Sequence, residues 1–208
     1  MKVLITGFDP FDNEKINPSY EAAKLLPDNI DDVRVVVKEL PTVFSAASET
    51  LVSYLEEEKP DIVICTGQAG GRDAVTPERV AINIKDARIP DNCGNMTCDE
   101  PLYGGEREAY FSSLPIKEII AEINKEGIPA KISNSAGTFV CNEVMYTLLR
   151  YAERSERRMI GGFVHIPYIP EQTATKSNMF SLALEDSSRA LLIAVKGAIK
   201  YLKGQEIK

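Results

Sequence analysis

The chain has 208 residues, of which 44% are hydrophobic and 26% charged, so it is long enough to bury one sizeable core. Its formal net charge of -7 argues against a nucleic-acid partner, because proteins bind phosphate backbones through clustered lysine and arginine. It contains no run of about eighteen apolar residues, and its first residues enter a strand-like pattern without a leader. We therefore predict one domain over residues 1–208, with no membrane partner and a cytoplasmic location.

Four cysteines and a single histidine limit the metal chemistry of the chain. The cysteines at 65, 93, 98 and 141 form no Cys-x-x-Cys pair, and one histidine excludes a histidine-rich metal site. Cys93 and Cys98 share the loop-like stretch DNCGNMTCDEP, where we expect free surface thiols and where a functional disulfide is the less favoured alternative. We expect the chemistry to need no metal and no cofactor.

Short apolar runs alternate with amphipathic segments, which is typical of an α/β layer architecture. The first part of the chain predicts a strand at KVLITGF, a helix at PSYEAAKLL, a strand at VRVVVKELP, a helix at FSAASETLVSYLEEE and a strand at DIVICTG. Between Gly67 and Pro115 glycines, prolines and charges dominate, and RVAINI is the clearest strand. A loop-rich segment of that length is usually functional.

The second part of the chain continues the alternation. It predicts a helix at SLPIKEIIAEINKEG, a strand at PAKISNSAG, a helix from about Phe139 through CNEVMYTLLRYAER, a strand at GGFVHIPYI and a long helix at LALEDSSRALLIAVKGAIKYL. Gly127 is the stop signal of the first of these helices. The whole chain therefore predicts one helix-sheet-helix sandwich.

Two reactive residues stand out in this pattern. Cys141 lies a couple of residues inside a predicted helix start, where unpaired N–H groups and the helix dipole favour a thiolate nucleophile. His165 is the only imidazole, and Pro167 indicates that its strand is about to end, where reactive groups of open α/β sheets gather. The alternatives are a cysteine that only packs and a histidine with a structural role.

A third catalytic group would be a carboxylate that holds the imidazole in its useful tautomer. Glu78 in TPERVAIN is a candidate, as are Asp73 and Asp86, and sequence spacing does not choose among them. The ordinary alternative for Glu78 is a surface ion pair with Arg79.

The segment GQAGGR, residues 67–72, follows a predicted strand as phosphate loops do. It lacks both the Gly-x-Gly-x-x-Gly order and the Gly-Lys-Ser/Thr ending of nucleotide-binding loops. We interpret its glycines as letting the backbone approach a small ligand. A nucleoside- or small-molecule-processing or binding protein on a similar α/β fold is the alternative function.

Six segments, TGFDPF, GQAGGR, PERVAIN, DARIPDN, SNSAGTFVCN and HIPYIPEQ, have an order and spacing that resemble pyroglutamyl peptidase type I, also called pyrrolidone carboxyl peptidase. The match runs from Lys2 to about Gln172. The resemblance implies a cysteine peptidase that removes an N-terminal pyroglutamyl residue from peptides. It also implies a homotetramer, and a three-layer α/β/α sandwich with a twisted, mostly parallel mixed central sheet of the phosphorylase/hydrolase-like type.

The resemblance also assigns roles to individual residues. It makes Cys141 the nucleophile, His165 the general acid and base, and Glu78 the orienting carboxylate, and it alone selects Glu78 over its neighbours. Arg88 in DARIPDN is the candidate oxyanion donor beside the backbone N–H of Cys141. The substrate-binding residues that it implies are Phe8, Phe11, Thr42, Gln68, Ile89 and Val140.

The chain departs from the family pattern at three places. Asp12 and Asn13 replace two glycines that are common after the phenylalanine motif, which raises the alternative of an inactive relative with a spoiled pocket. Glu143 and Val144 occupy a stretch where many relatives carry a second histidine, which leaves His165 without a competing base. The segment TATKSNMFSLALED lacks the usual proline-containing link before the last helix.

Overall fold

Eight strands and six helices lie within residues 1–206, the part of the chain that the computed structural model describes. The strands are β1 (Lys2–Phe8), β2 (Asn29–Ile30), β3 (Val33–Leu40), β4 (Ile62–Gln68), β5 (Thr76–Pro77), β6 (Val80–Ile82), β7 (Ala109–Phe111) and β8 (Ile160–Ile166). The helices are α1 (Pro18–Lys24), α2 (Ala46–Glu58), α3 (Ile116–Lys125), α4 (Val140–Arg154), α5 (Pro170–Thr173) and α6 (Leu184–Glu206). None of these helices combines the length and apolar character needed to cross a bilayer.

The central sheet has six strands in the order β2-β3-β1-β4-β8-β5. Strands β3, β1, β4 and β8 run parallel, and the short edge strands β2 and β5 are antiparallel to their neighbours. The inner strands β4 and β8 are buried along their whole length, which is why they are nearly continuous apolar runs in the sequence. The prediction of a mostly parallel mixed sheet is confirmed.

Helices cover both faces of the sheet. Successive side chains of a strand point to opposite faces, so Leu4 and Ile5 of β1 belong to two different cores. Helices α1, α3 and α6 pack over the face of Ile5, and α2 and α4 pack over the face of Leu4. The predicted three-layer α/β/α sandwich is therefore confirmed.

The strand predicted at PAKISNSAG is wrong. This segment is extended, but it pairs with residues 75–79 only through isolated bridges, Val75 to Ala130 and Glu78 to Ser133. Pro77 lies between the two bridges and has no N–H to donate, so it interrupts the parallel ladder. The predicted RVAINI strand is shorter than expected, and as β6 it pairs with β7 in a separate two-stranded sheet.

Candidate active site

The nucleophile candidate lies at the start of α4, as the sequence predicts. Gly137 adopts a φ of 81° in the turn before the helix, a conformation that glycine reaches without steric cost. Val140, the first helical residue, is fully buried and anchors the helix start in the core. Cys141 follows it, and its half-buried side chain lines a cleft.

Burial raises the pKa of the Cys141 thiol to about 12, and the nearby Glu78 carboxylate acts in the same direction. Arg72 opposes these effects only in part. Burial thus opposes the thiolate that the helix start is predicted to favour. A thiol whose pKa is raised in this way needs a base to become a nucleophile.

His165 lies one residue before the end of β8, at the carboxyl edge of the sheet. It pairs with Gly67 of the adjacent strand β4, and a Cβ built on Gly67 would lie 2.9 Å from Cys141 Sγ. The thiol therefore lies over the backbone position next to His165. Cys141 and His165 line the same cleft, and His165 lies near the carboxyl end of its strand.

The imidazole is bound on one side by a carboxylate. His165 Nδ1 lies 2.7 Å from Glu78 Oε1, and because a carboxylate only accepts, we assign the proton to Nδ1. The other ring nitrogen, Nε2, is then a free base. Burial lowers the pKa of His165 more than Glu78 raises it, so the ring is neutral at neutral pH.

The structure selects Glu78 from the three candidate carboxylates. Its side chain is fully buried against His165, whereas Asp73 and Asp86 are exposed. The surface ion pair with Arg79 is absent, since the Arg79 guanidinium donates to the Asn134 side chain. Burial acts to raise the pKa of Glu78, but the hydrogen bond from His165 and the charge of Arg72 outweigh it and lower this pKa, so the carboxylate is ionised.

Arg72 is a member of the site that the sequence reasoning missed. Its Nη1 lies 2.5 Å from Glu78 Oε1 and 2.5 Å from Thr76 Oγ1, and its Nη2 donates to the Ser135 carbonyl at 3.3 Å. The signal was the arginine that closes GQAGGR, six residues before the glutamate. It joins the Glu78 carboxylate to the loop that precedes the nucleophile.

A cleft of about 500 Å³ contains these groups. Four residues assigned to substrate or oxyanion binding line it, namely Phe11, Gln68, Arg88 and Ile89. The other three, Phe8, Thr42 and Val140, are buried and lie outside its lining.

Each of these three buried residues has a structural environment of its own. Phe8 packs its ring 6.3 Å from that of Phe163, and the Thr42 N–H and hydroxyl both donate to Asp9. Val140 is a core anchor of α4.

The aromatic wall of the cleft differs from the expected one. Phe139, which directly precedes α4, lines the cleft together with Phe11, and their ring centroids are 6.4 Å apart. Phe44 supports Phe139 from behind in an edge-to-face contact at 5.2 Å. Tyr168 adds a further aromatic side chain to the lining. Sequence reasoning missed Phe139 and Tyr168, although Phe139 stands two positions before the nucleophile.

The loop at Asp12 and Asn13 keeps a glycine-like conformation. Their φ angles are 53° and 61°, in the left-handed region where glycine is favoured and where asparagine and aspartate are the best tolerated alternatives. Asp12 and Asn13 therefore occupy backbone positions that favour glycine. Asp12 lies on the lining of the cleft.

Glu143 occupies a structural position instead of the cleft. Both of its carboxylate oxygens accept from the Ser45 N–H, at 3.0 and 3.1 Å, at the start of α2. Its side chain is buried, and this burial raises its pKa. Within residues 1–206 no group of three or more histidine, cysteine, aspartate or glutamate side chains could hold a metal ion.

A cysteine, a neutral imidazole and an ionised carboxylate at the carboxyl edge of a mostly parallel sheet are the groups that a thiol hydrolase of the α/β/α class uses. The family model of pyroglutamyl peptidase matches residues 1–201. The chain belongs to this family, as the six motifs predicted, and it is a peptidase.

Individual relatives match over nearly their whole length. The pyrrolidone-carboxylate peptidase of Clostridium perfringens is 50% identical over 208 residues, which cover 100% of this chain and 97% of the relative. That of Thermosipho africanus is 50% identical over 200 residues, with 96% and 98% covered. These similarities do not support the alternative of a nucleoside-processing protein.

Solved structures show the same fold. The crystal structure of pyroglutamyl peptidase I from Bacillus amyloliquefaciens superposes with a TM-score of 0.92 at 50% identity, covering 95% of this chain and 94% of that one. A mutant pyrrolidone carboxyl peptidase from the hyperthermophile Pyrococcus furiosus gives a TM-score of 0.94 at 46% identity, covering 97% and 100%.

Proposed function

We propose that this enzyme hydrolyses the amide bond after an N-terminal pyroglutamyl residue of peptides, with Cys141 as nucleophile, His165 as general base and acid, and Glu78 as orienting carboxylate. The observation that carries this proposal is the 2.7 Å contact between His165 Nδ1 and Glu78 Oε1 in a cleft that Cys141 also lines. The family membership and the names of its relatives support the choice of substrate.

The mechanism begins from a neutral thiol and a neutral imidazole. His165 Nε2 takes the thiol proton as Cys141 Sγ attacks the carbonyl carbon that joins the pyroglutamyl ring to the next residue. The Glu78 carboxylate stabilises the resulting imidazolium, which then gives its proton to the departing amine and leaves a thioester. His165 next deprotonates a water that attacks the thioester, releasing pyroglutamate and restoring the thiol.

The oxyanion formed in both steps needs preorganised donors. The backbone N–H of Cys141 lies in the first turn of α4, where helix N–H groups have no partner within the helix, and we assign it as the first donor. Arg88 lines the same cleft and is the second donor in this scheme.

The specificity follows from the chemistry of the lactam ring, which is flat and uncharged with one N–H donor and one C=O acceptor. Phe11 and Phe139 supply an apolar wall for the ring, and the backbone at Gln68 and Ile89 supplies polar partners. A peptide with a free amino terminus carries a charge that this wall does not solvate, so desolvation disfavours it. Phe8, Thr42 and Val140, which the resemblance assigns to the pocket, lie outside the lining of the cleft.

The test is the release of a chromophore from a pyroglutamyl amide. Cys141→Ser and His165→Ala are expected to abolish release while thermal unfolding stays close to wild type. Cys93→Ser is the matched control, since this exposed cysteine lies outside the cleft lining. Full activity in either active-site variant contradicts the proposal, and an inactive but folded wild-type chain indicates an inactive relative.

We also propose a homotetramer in the cytoplasm. The tetramer rests on the family resemblance, and light scattering coupled to size-exclusion chromatography measures it directly. The exposed free thiols of Cys93 and Cys98 support a reducing compartment.

A further inference from the structure

The Glu78 carboxylate is shared between two partners. Its Oε1 accepts from both His165 Nδ1 and Arg72 Nη1, at 2.7 and 2.5 Å, while its buried Oε2 has no hydrogen-bond partner among the described residues. We infer that Arg72 is a positioning residue for the reaction, which keeps Glu78 ionised and thereby leaves His165 Nε2 free to accept the thiol proton. This inference rests on the proposed function of Cys141 and His165.

A buried carboxylate needs a compensating charge. The Glu78 side chain is 0% exposed, and an isolated carboxylate in such surroundings takes up a proton. The titratable groups that face it are His165 of β8 and Cys141 of α4, both uncharged at rest, and the Arg72 guanidinium. Arg72 therefore supplies the positive charge that balances the carboxylate in this part of the structure.

Removal of that charge changes the state of the imidazole. Without Arg72 the buried Glu78–His165 pair takes up one proton. If the proton stays on Glu78, the carboxyl group donates to Nδ1 and the ring hydrogen moves to Nε2. If it moves to the ring, both nitrogens carry hydrogen. In both arrangements Nε2 cannot accept the proton of Cys141, so the nucleophile does not form.

Arg72 is itself held in place for this role. Its guanidinium donates to Thr76 Oγ1 next to the carboxylate and to the Ser135 carbonyl in the loop before α4. The planar guanidinium thus contacts both Glu78 and the loop before α4. A lysine ammonium would supply the same charge but not this geometry.

The single histidine makes a direct test practical. In an untagged chain labelled with ¹⁵N-histidine, NMR reports one imidazole, and its ¹⁵N shifts distinguish a protonated from a free Nε2. We expect a free Nε2 in the wild type at pH 7 and a protonated one in Arg72→Met, with deprotonation only at higher pH. Arg72→Lys keeps the charge, so its Nε2 should stay free. Arg79→Met is the matched control, because that guanidinium donates to Asn134 instead.

Activity gives the second readout. The acid limb of kcat/KM should move to higher pH by about one unit or more in Arg72→Met, since a nearby charge shifts titration by that order. The loss should fall on kcat rather than KM, and Arg72→Lys should recover most of it. Should Arg72→Met fail to fold, Arg72→Gln removes the charge but keeps an amide donor.

The outcomes separate the two proposals. A free Nε2 at pH 7 in Arg72→Met or Arg72→Gln, with activity lowered equally at every pH, overturns the inference and leaves Arg72 a purely structural role. The NMR measurement needs no substrate. A wild-type enzyme that fails to cleave pyroglutamyl amides therefore contradicts the proposed function, while the tautomer of His165 still tests Arg72.

Discussion

Gly67 brings the backbone of β4 against the thiol of Cys141. A Cβ at this position would lie 2.9 Å from Cys141 Sγ and 2.8 Å from Phe163 Cζ, closer than side chains normally approach. The glycine of GQAGGR is thus required by the close approach of backbone and thiol. In this glycine-rich segment, which resembles a phosphate loop, Gly67 leaves room for Cys141 Sγ.

We expect Gly67→Ala to lower kcat/KM by on the order of 10²-fold, because the added methyl group displaces the thiol from its position next to His165. Steady-state hydrolysis of a pyroglutamyl amide measures this loss. Gly104→Ala is the control, since a Cβ there meets no atom within 4 Å. Equal activity of the two variants would show that the site absorbs the methyl group.

Part of the site could be predicted from the sequence because the residue type and position of some side chains indicate a chemical role. Cys141 and His165 could be chosen from residue type and position, and Glu78 was selected only by the family motifs. Arg72 could not be found, because an arginine reveals its function only when the fold brings its partner within reach. The raised thiol pKa was missed for a similar reason, since sequence gives the helix start but not the depth of burial.

At the scale of elements, the side chain of Asn142 links helix α4 to strand β6 through hydrogen bonds. Its side chain accepts from the Ile82 N–H and donates to the carbonyls of Ile82 and Ile84, each at 2.9 Å. The residue is fully buried and directly follows Cys141. These bonds connect the start of α4 to β6 and the residues after it, and they fix the position of the adjacent Cys141.

We predict that Asn142→Ala lowers the free energy of unfolding by about 2–4 kcal/mol, because it leaves buried backbone groups of Ile82 and Ile84 without partners. Urea denaturation followed by circular dichroism gives the value. Asn134→Ala, at an exposed position, should change it by less than about 0.5 kcal/mol. A similar cost for both variants would contradict the role given to Asn142.

The elements were predictable where apolar periodicity alone decides. The strands of KVLITGF and DIVICTG are buried on both faces, and the apolar residues of α4 recur at helical spacing, so local patterns suffice. The PAKISNSAG strand failed because its partner segment contains Pro77, and the interruption of a ladder depends on pairing that no local pattern shows. The separate pairing of β6 with β7 could not be predicted for the same reason, because local patterns do not show which strands pair.

At the scale of the whole molecule, buried titratable groups set how stability depends on pH. His165 has a lowered pKa when folded, so its contribution to stability is present above the pKa of an exposed histidine and is lost as the pH falls below it. Glu143 has a raised pKa when folded, so it acts in the opposite sense. Its ionisation destabilises the fold as the pH rises from the range where an exposed glutamate titrates.

Glu143→Gln isolates the second effect, because the amide oxygen still accepts from the Ser45 N–H but no longer titrates. We expect the free energy of unfolding of this variant, relative to wild type, to increase with pH from about 4.5 upwards and then level off. Denaturation series at several pH values measure the difference. A difference that stays constant with pH would show that Glu143 titrates as an exposed residue does.

The short strand β5 at one edge of the central sheet affects whether another chain can add a strand there. Long open edges invite strand addition by other chains, and at one end of the sheet the edge strand β5 is only two residues long. On the β5 side Pro77 has no N–H to offer, and residues 129–133 already run alongside. At the β5 end the sheet is thus protected against the strand addition by which β proteins aggregate.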